Sequence, residues 1–246
     1  MGLLDWLKPG RRETRRDIAV TKSALEAAND PDSDAHGAIS RLIAKLLDLG
    51  IDGKGPFPGA AKVADKARQG TEDSARGIEK AIDKVVRGHI RDGAAGGFVT
   101  SLGGFVTMPV AVPANVFEFY VLATRMVAGV AHLRGYDITA PEIRTAVLLT
   151  LIGNDAGEVL AKAGVPLGPI ASGATASLLV GRLPKSALMV VNKAVGFRLL
   201  RSVGQRTLTR FGKLIPVAGG VLGAGLDGYL MRQLGKVARR EFPARG

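Results

Sequence analysis

Four charged residues that stand in apolar surroundings are the candidates for catalytic chemistry. They are Glu118, Arg125, Asp155 and Glu158. Glu118 and Arg125 are seven residues apart in the stretch FEFYVLATRMVAGVA, a spacing that places both on one face of a helix. Buried charges are costly unless they are paired. These residues therefore either pair across helices and fix the register of a bundle, which is the favoured interpretation, or line a polar pocket with shifted pKa values, as in an enzyme of unknown reaction.

Recognised catalytic and cofactor-binding motifs are absent from the sequence. The run GGVLGAG from Gly219 to Gly225 lacks both the Lys-Ser/Thr pair of a phosphate-binding loop and a preceding strand. The three histidines, His36, His89 and His132, lie far apart, and none has the i,i+4 partner of a metal-binding helix. Cysteine is absent, which excludes disulfides and thiolate zinc sites. We therefore predict neither a metal nor a cofactor.

Positive charge is concentrated in the last third of the chain. Residues 1–177 carry 21 Lys and Arg against 20 Asp and Glu, whereas residues 178–246 carry 13 against 2. Five of the basic residues share one broad half of a helical wheel, with apolar residues on the other half: Arg198, Arg201, Arg206, Arg210 and Lys213. Such a helix suits the interface of an anionic membrane. The alternative is an ordinary solvated helix whose apolar side joins a protein core.

Nucleic acid is disfavoured as the anionic partner. Proteins that bind single strands interleave aromatic and basic residues so that bases can stack. Only Phe197 and Phe211 are available near the basic segment, and no nucleic-acid-binding motif is present.

The longest uncharged run extends over 25 residues from Gly93 to Phe117. A transmembrane helix needs about 20 predominantly apolar residues, but this run contains five glycines as well as Pro109 and Pro113, and proline interrupts a helix. The run therefore predicts two short, closely packed helical pieces with a bend between them. Insertion of this run and of the charge-free stretch Ala163–Gly181 into a membrane is the alternative to packing in a protein core.

The rest of the chain predicts an all-α fold. Small residues recur at every fourth position, as in Gly220, Ala224 and Gly228 and in rows between residues 164 and 181, which favours closely approaching helices. Helical periodicity predicts a helix from Ala38 to Leu49 and further helix from Gly59 to Gly88, whereas strand alternation and hairpin signals are lacking. We predict a compact multi-helix bundle at residues 76–246, preceded by a polar helical extension at residues 1–75.

From about Lys80 to Pro243 the chain resembles the EcsC family, bacterial proteins named after a component encoded beside an ABC transporter. Four blocks carry the likeness: GGFVTSLGGFVTMPVAVPANVFEFYVLATRMVAGVAHLRGYD, GNDAGEVLAKAG, VNKAVGFRLL and KLIPVAGGVLGAGLDGYLMRQLGKVA. The residues that stand out in them are Tyr136, Asp137, Asn192, Lys193, Pro216 and Asp227. The resemblance implies a role near a membrane transport system, and it supplies no catalytic residues.

Together these features predict a cytoplasmic protein that associates peripherally with the inner face of the membrane. The apolar residues near Leu3 precede the first basic run, which is the reverse of the order in a signal peptide. The expected partner is an anionic membrane surface or lipid, or a membrane transport protein, and no oligomeric state is predicted.

Overall fold

Helices form nearly all of the regular structure in the computed structural model of the protein, which describes residues 35–54, 57–102, 104–153, 156–162, 188–196 and 216–245. The elements are α1 (Ala35–Leu47), a π-helical turn (Asp48–Asp52), β1 (Gly53–Lys54), β2 (Phe57–Pro58), α2 (Ala60–Arg68), α3 (Ala75–Leu102), α4 (Gly104–Leu133), α5 (Pro141–Ile152), α6 (Ala156–Lys162), α7 (residues 188–196) and α8 (Pro216–Glu241). The predicted all-α fold class is confirmed for this part of the chain.

Helix α1 forms because its apolar residues recur at helical spacing and share one buried face. These residues are Ile39, Leu42, Ile43 and Leu46. The sequence predicted a helix from Ala38 to Leu49, and the observed helix begins at Ala35 and passes into the π-helical turn after Leu47. The extra residue that a π-helical turn accommodates leaves no trace in the hydrophobic pattern.

A tight turn divides the predicted helix over residues 59–88 into α2 and the first part of α3. The N–H of Thr71 donates to the carbonyl of Arg68 at 3.1 Å. Gln69 has φ −55° and ψ 131°, and Gly70 has φ +71°. These are the angles of a type II turn, which requires a positive φ at its third residue and therefore favours glycine there.

The two strands form a hairpin of two residues each, which the sequence did not predict. Gly53 pairs with Pro58 and Lys54 pairs with Phe57, antiparallel. Strands this short cannot show the alternation by which strands are recognised. At the base of the hairpin Gly53 has φ +78°, and a Cβ added there would lie 2.3 Å from the nitrogen of Gly59.

The uncharged run from residue 93 to residue 117 lies at the junction of two long helices. Helix α3 has 28 residues and α4 has 30, and they pack against each other. The run is therefore divided between two helices, but the prediction of two short pieces is wrong, because both helices are long and Pro109 and Pro113 fall inside α4. None of the helices in the described ranges is both long and apolar enough to cross a membrane.

Helix α4 is the centre of the core. It contacts α1, the π-helical turn, α2, α3, α5 and α8. Side chains on all sides of its second half are fully buried, among them Met126, Val127, Ala128 and Val130. A helix surrounded in this way needs an apolar surface all round, which explains the nearly uncharged sequence. The predicted division of the chain at residue 75 stays a prediction, although α1 and α2 pack on this same helix.

Helices α3 and α8 form the most extensive contact between any two described elements. A Cβ added at Gly235 would lie 2.7 Å from Cγ1 of Val86, and one added at Gly228 would lie 3.5 Å from Cβ of Ala94. Small residues thus let the two backbones approach closely, as the sequence predicted for the row that includes Gly228. The rows between residues 164 and 181 lie outside the described residues.

Ion pairs join the same two helices to the end of α4. The guanidinium of Arg239 on α8 contacts Glu79 at 3.1 Å and also pairs with Asp83, both on α3. Arg134, just after α4, binds Glu79 at 2.6 Å. Networks of this kind contribute more to stability than isolated surface pairs, because one residue fixes several partners.

Candidate functional site

A groove of about 830 Å³ opens between the hairpin, α2 and α3. Its charged lining residues are Asp52, Lys54, Lys62, Lys66, Lys84, Arg91 and Asp92. Five of these are basic and two are acidic, so the lining carries a net charge of +3. The volume lies in the range of sites for small molecules, roughly 300–1,000 Å³.

Helical spacing brings the basic residues of α2 and α3 to the groove. Lys62 and Lys66 are four residues apart on α2, and Lys84 and Arg91 are seven apart on α3, so each pair shares one helix face. Helix α2 turns its small residues, such as Ala64, into the core and leaves its lysines facing outward. Lys54 completes the lining from the first strand.

Both acidic residues of the lining are already paired. Asp52 forms an ion pair with Arg144 on α5, and Asp92 contacts Arg91 at 3.4 Å. Neither carboxylate forms an ion pair with a lysine of the groove in the described part of the chain.

The lysines of the groove differ in how they are engaged. Lys84 donates from Nζ to the carbonyls of Ala67 at 3.2 Å and of Gln69 at 3.4 Å, where it satisfies the C-terminal end of α2. Lys54, Lys62 and Lys66 form no ion pair with any residue in the described part of the chain. Three lysines of the lining thus lack an ion-pair partner among the described residues.

His89 on α3 lies in the wall of the groove and is only 5% exposed. Its Nδ1 is 2.8 Å from the carbonyl of Val85, and because a carbonyl only accepts, Nδ1 is the nitrogen that carries the hydrogen. Burial lowers the pKa of His89, and the charge of Arg125 acts in the same direction, against the hydrogen bond to Val85 and the charge of Asp92. The ring is therefore neutral at pH 7, and Nε2 is a hydrogen-bond acceptor.

Arg125 of α4 is buried and anchors the π-helical turn. Its Nη2 donates to the carbonyl of Leu49 at 2.7 Å, whereas its buried Nε has no hydrogen-bond partner among the described residues. A Cβ added at the neighbouring Gly50 would lie 2.7 Å from Cβ of Thr124, so this close approach requires glycine. Burial lowers the pKa of Arg125, and the charge of Asp92 opposes that shift. The observed role of Arg125 is to hold the turn against α4.

The predicted catalytic residues are not brought together in the described part of the chain. Glu118 is exposed, yet enough protein surrounds it to raise the pKa of its carboxyl, and the charge of Asp227 adds to this effect. Seven residues of helix separate Arg125 from Glu118 by about 10 Å along the helix axis. The carboxylate whose charge acts on Arg125 is that of Asp92. Glu158 is exposed on α6, and Asp155 lies outside the described residues. None of the described members of the set lines the groove.

Tyr136 and Asp137, singled out by the family resemblance, shape the corner between α4 and α5. The buried ring of Tyr136 packs edge-on against Phe242 with centroids 5.3 Å apart, and the guanidinium carbon of Arg245 lies 4.7 Å from the Tyr136 centroid. Asp137 accepts hydrogen bonds from the N–H of Thr139 at 2.9 Å and from its hydroxyl at 2.6 Å. These bonds lower the pKa of Asp137.

The remaining residues of the resemblance lie on α7 and α8. Asn192 of α7 accepts a hydrogen bond from the hydroxyl of Thr145 at 3.3 Å, and Lys193 beside it is exposed. Pro216 is the first residue of α8, and Asp227 is buried within that helix. The basic residues predicted to bind lipid lie outside the described part of the chain: Arg198, Arg201, Arg206, Arg210 and Lys213.

Sequence reasoning missed the groove because its lysines come from a region that is nearly neutral as a whole. Residues 1–177 have almost equal numbers of basic and acidic residues, so a count over that length conceals a local excess. The available signal was the i,i+4 pair Lys62 and Lys66 on a helix whose other face is small and apolar. Within the described ranges no group of three or more His, Asp or Glu side chains could hold a metal ion.

Comparison of the chain with protein-family models, with curated proteins and with solved structures finds no match.

Proposed function

We propose that the protein binds peripherally to an anionic membrane surface through the basic segment at residues 198–213. The observation that carries this proposal is the charge distribution, because residues 178–246 hold 13 basic and 2 acidic residues. Each basic residue near an anionic leaflet contributes about 1 kcal/mol, so the five on one face of the segment would supply several kcal/mol together. The apolar residues on its other face would add burial at the interface.

Peripheral binding is compatible with the burial of apolar side chains in the described parts of α3 and α4. Ile82 and Val85 of α3 and Met126 of α4 are buried in the core. On α8, in contrast, Leu226 and Tyr229 are exposed. A membrane transport protein as an additional partner, at the inner face of the membrane, rests on the resemblance to the EcsC family alone.

Cosedimentation with lipid vesicles tests the proposal. We expect binding to vesicles that contain phosphatidylglycerol and little binding to vesicles of pure phosphatidylcholine. The bound fraction should fall as salt rises from 50 to 500 mM, because the Debye length shortens over this range from above about 10 Å toward about 3 Å. Equal binding to both kinds of vesicle, or binding to neither, would refute it. Release by alkaline carbonate would distinguish peripheral binding from insertion.

A charge-matched control variant distinguishes a specific role of the basic segment from an effect of the protein's net charge. The test variant changes Arg206, Arg210 and Lys213 to Glu, and we expect it to lose most vesicle binding. The control changes Arg76, Arg232 and Lys236 to Glu, three exposed residues outside the segment and outside the groove, with the same change in net charge. If both variants lose binding equally, the segment has no special role.

A further inference from the structure

We infer that the groove between the hairpin, α2 and α3 binds a small organic phosphate. In this assignment Lys54, Lys62 and Lys66 hold the phosphate, and the apolar wall of the groove holds the organic part. The groove is separate from the basic segment at residues 198–213, so this site does not depend on the proposed membrane binding.

The net positive charge of the groove favours an anionic ligand. Lys54, Lys62 and Lys66 line one cleft from two elements and form no ion pair with a described residue, while Asp52 pairs with Arg144 and Asp92 pairs with Arg91. Positive groups gathered in one concave site raise the local concentration of anions, because the low-dielectric walls focus their field. A phosphate dianion offers three oxygens, which matches three ammonium groups that act as point charges.

The uncharged lining limits the size and character of the ligand. Phe57, Val63, Ala67 and Val85 supply apolar surface to the groove. Among the described lining residues Phe57 is the only Phe, Tyr or Trp, and the other aromatic ring, His89, is largely buried, so the groove offers a nucleotide base little surface for stacking. A phosphate with a short aliphatic or polyol body fits this surface better than a nucleotide does.

His89 indicates a hydroxyl on the ligand. His89 lines the groove and its Nδ1 is committed to the carbonyl of Val85, which leaves Nε2 as the ring nitrogen for a ligand. A neutral Nε2 accepts a hydrogen bond, and a hydroxyl of the ligand can donate one. Glycerol 3-phosphate combines such a hydroxyl with a phosphate monoester and is therefore the probe of choice.

The same chemistry occurs in a free metabolite and in the headgroup of a phospholipid. Two arms of one experiment distinguish them: isothermal titration of the full chain with glycerol 3-phosphate, and flotation with phosphatidylcholine vesicles that contain phosphatidic acid. Glycerol serves as the probe without phosphate, and inorganic phosphate as the probe without the organic part. We expect glycerol 3-phosphate to bind at least tenfold more tightly than either.

Three variants make the assignment falsifiable. Lys62→Gln combined with Lys66→Gln should weaken binding at least tenfold, whereas Arg232→Gln combined with Lys236→Gln, on α8 away from the groove, should leave it unchanged. Gly88→Phe blocks the groove without changing any charge. A Cβ at Gly88 meets no atom within 4 Å, so the fold should tolerate this change, which a thermal melt checks.

The outcomes separate the source of the ligand from the existence of the site. Binding of glycerol 3-phosphate that both groove variants abolish supports a soluble ligand. Groove-dependent binding to phosphatidic acid vesicles that persists after reversal of the basic segment supports a lipid headgroup. If the groove variants change neither measurement, or if neither probe binds at millimolar concentration, the assignment is wrong.

Discussion

Two glycines in the interiors of long helices provide a sharp test of how closely α3 and α8 approach. Gly235 of α8 faces Val86, and an alanine Cβ there would lie 2.7 Å from the nearest methyl carbon, closer than real contacts allow. Gly88 of α3 faces open space, with no atom within 4 Å of such a Cβ. The same substitution, Gly→Ala, is therefore expected to have opposite effects at the two positions.

The magnitudes follow from two terms. Alanine in a helix interior is favoured over glycine by about 0.8–1.0 kcal/mol, and this gain applies at both sites. At Gly235 the alanine also displaces Val86, which is buried and stiff about χ1, and overpacking of this kind costs about 1–3 kcal/mol. We expect Gly88→Ala to stabilise the protein by about 0.5–1 kcal/mol and Gly235→Ala to be neutral or destabilising by up to about 2 kcal/mol.

The assay is urea unfolding followed by circular dichroism at 222 nm, with the free energy of unfolding extrapolated to water. A third variant, Val86→Ala, and its combination with Gly235→Ala complete a double-mutant cycle. The combination should be less destabilising than the sum of its parts by about 1–2 kcal/mol, because the shortened side chain makes room for the new methyl group. If Gly235→Ala stabilises as much as Gly88→Ala, the helices are not as close as the structure places them.

Three further predictions concern the turn at Gly70, the buried ring of His89 and the corner between α4 and α5. Gly70→Ala should lower the free energy of unfolding by about 1–2 kcal/mol because φ is +71° there, and Gly70→Asn should cost less; equal stability of all three proteins in urea would contradict the type II turn. The pKa of His89 is lowered in the folded protein, so the unfolded state takes up a proton at higher pH, and the free energy of unfolding should fall as the pH drops below about 6.5. His89→Gln should flatten this part of a plot of the free energy of unfolding in urea against pH. An unchanged slope would refute the argument. Tyr136→Leu should cost about 1–3 kcal/mol through loss of the edge-on contact with Phe242 and of the Arg245 interaction, whereas Arg245→Leu should cost about 0.5–1 kcal/mol; no loss in either urea titration would exclude a packing role.

Hydrophobic periodicity predicted the helices well, because burial of a repeating apolar face is the main term that fixes them. The face of α1 around Ile39 and Leu46 was recognisable from spacing alone. The end of that helix was not, because it depends on the close approach of Gly50 to α4. Such a contact is a property of the packed chain and leaves no local pattern.

The candidate sites were harder to predict than the fold, for a physical reason. Arg125 was expected to pair with a side chain, but its partner is a main-chain carbonyl 76 residues away, and every residue has a carbonyl. The groove in turn depends on a hairpin and two helices meeting side by side. Spacing places Lys62 and Lys66 on one face of a helix, but it does not place that face opposite Lys84.

The contact between α3 and α8 has a consequence for the order of events during synthesis. The residues that meet there are far apart in sequence; Glu79 and Arg239, for example, are separated by 160 positions. At about 5–20 residues per second, a ribosome needs on the order of ten seconds to add that length. Throughout this interval the nascent chain carries an uncovered apolar flank on α3, the kind of surface that chaperones bind and that aggregates when it is left exposed.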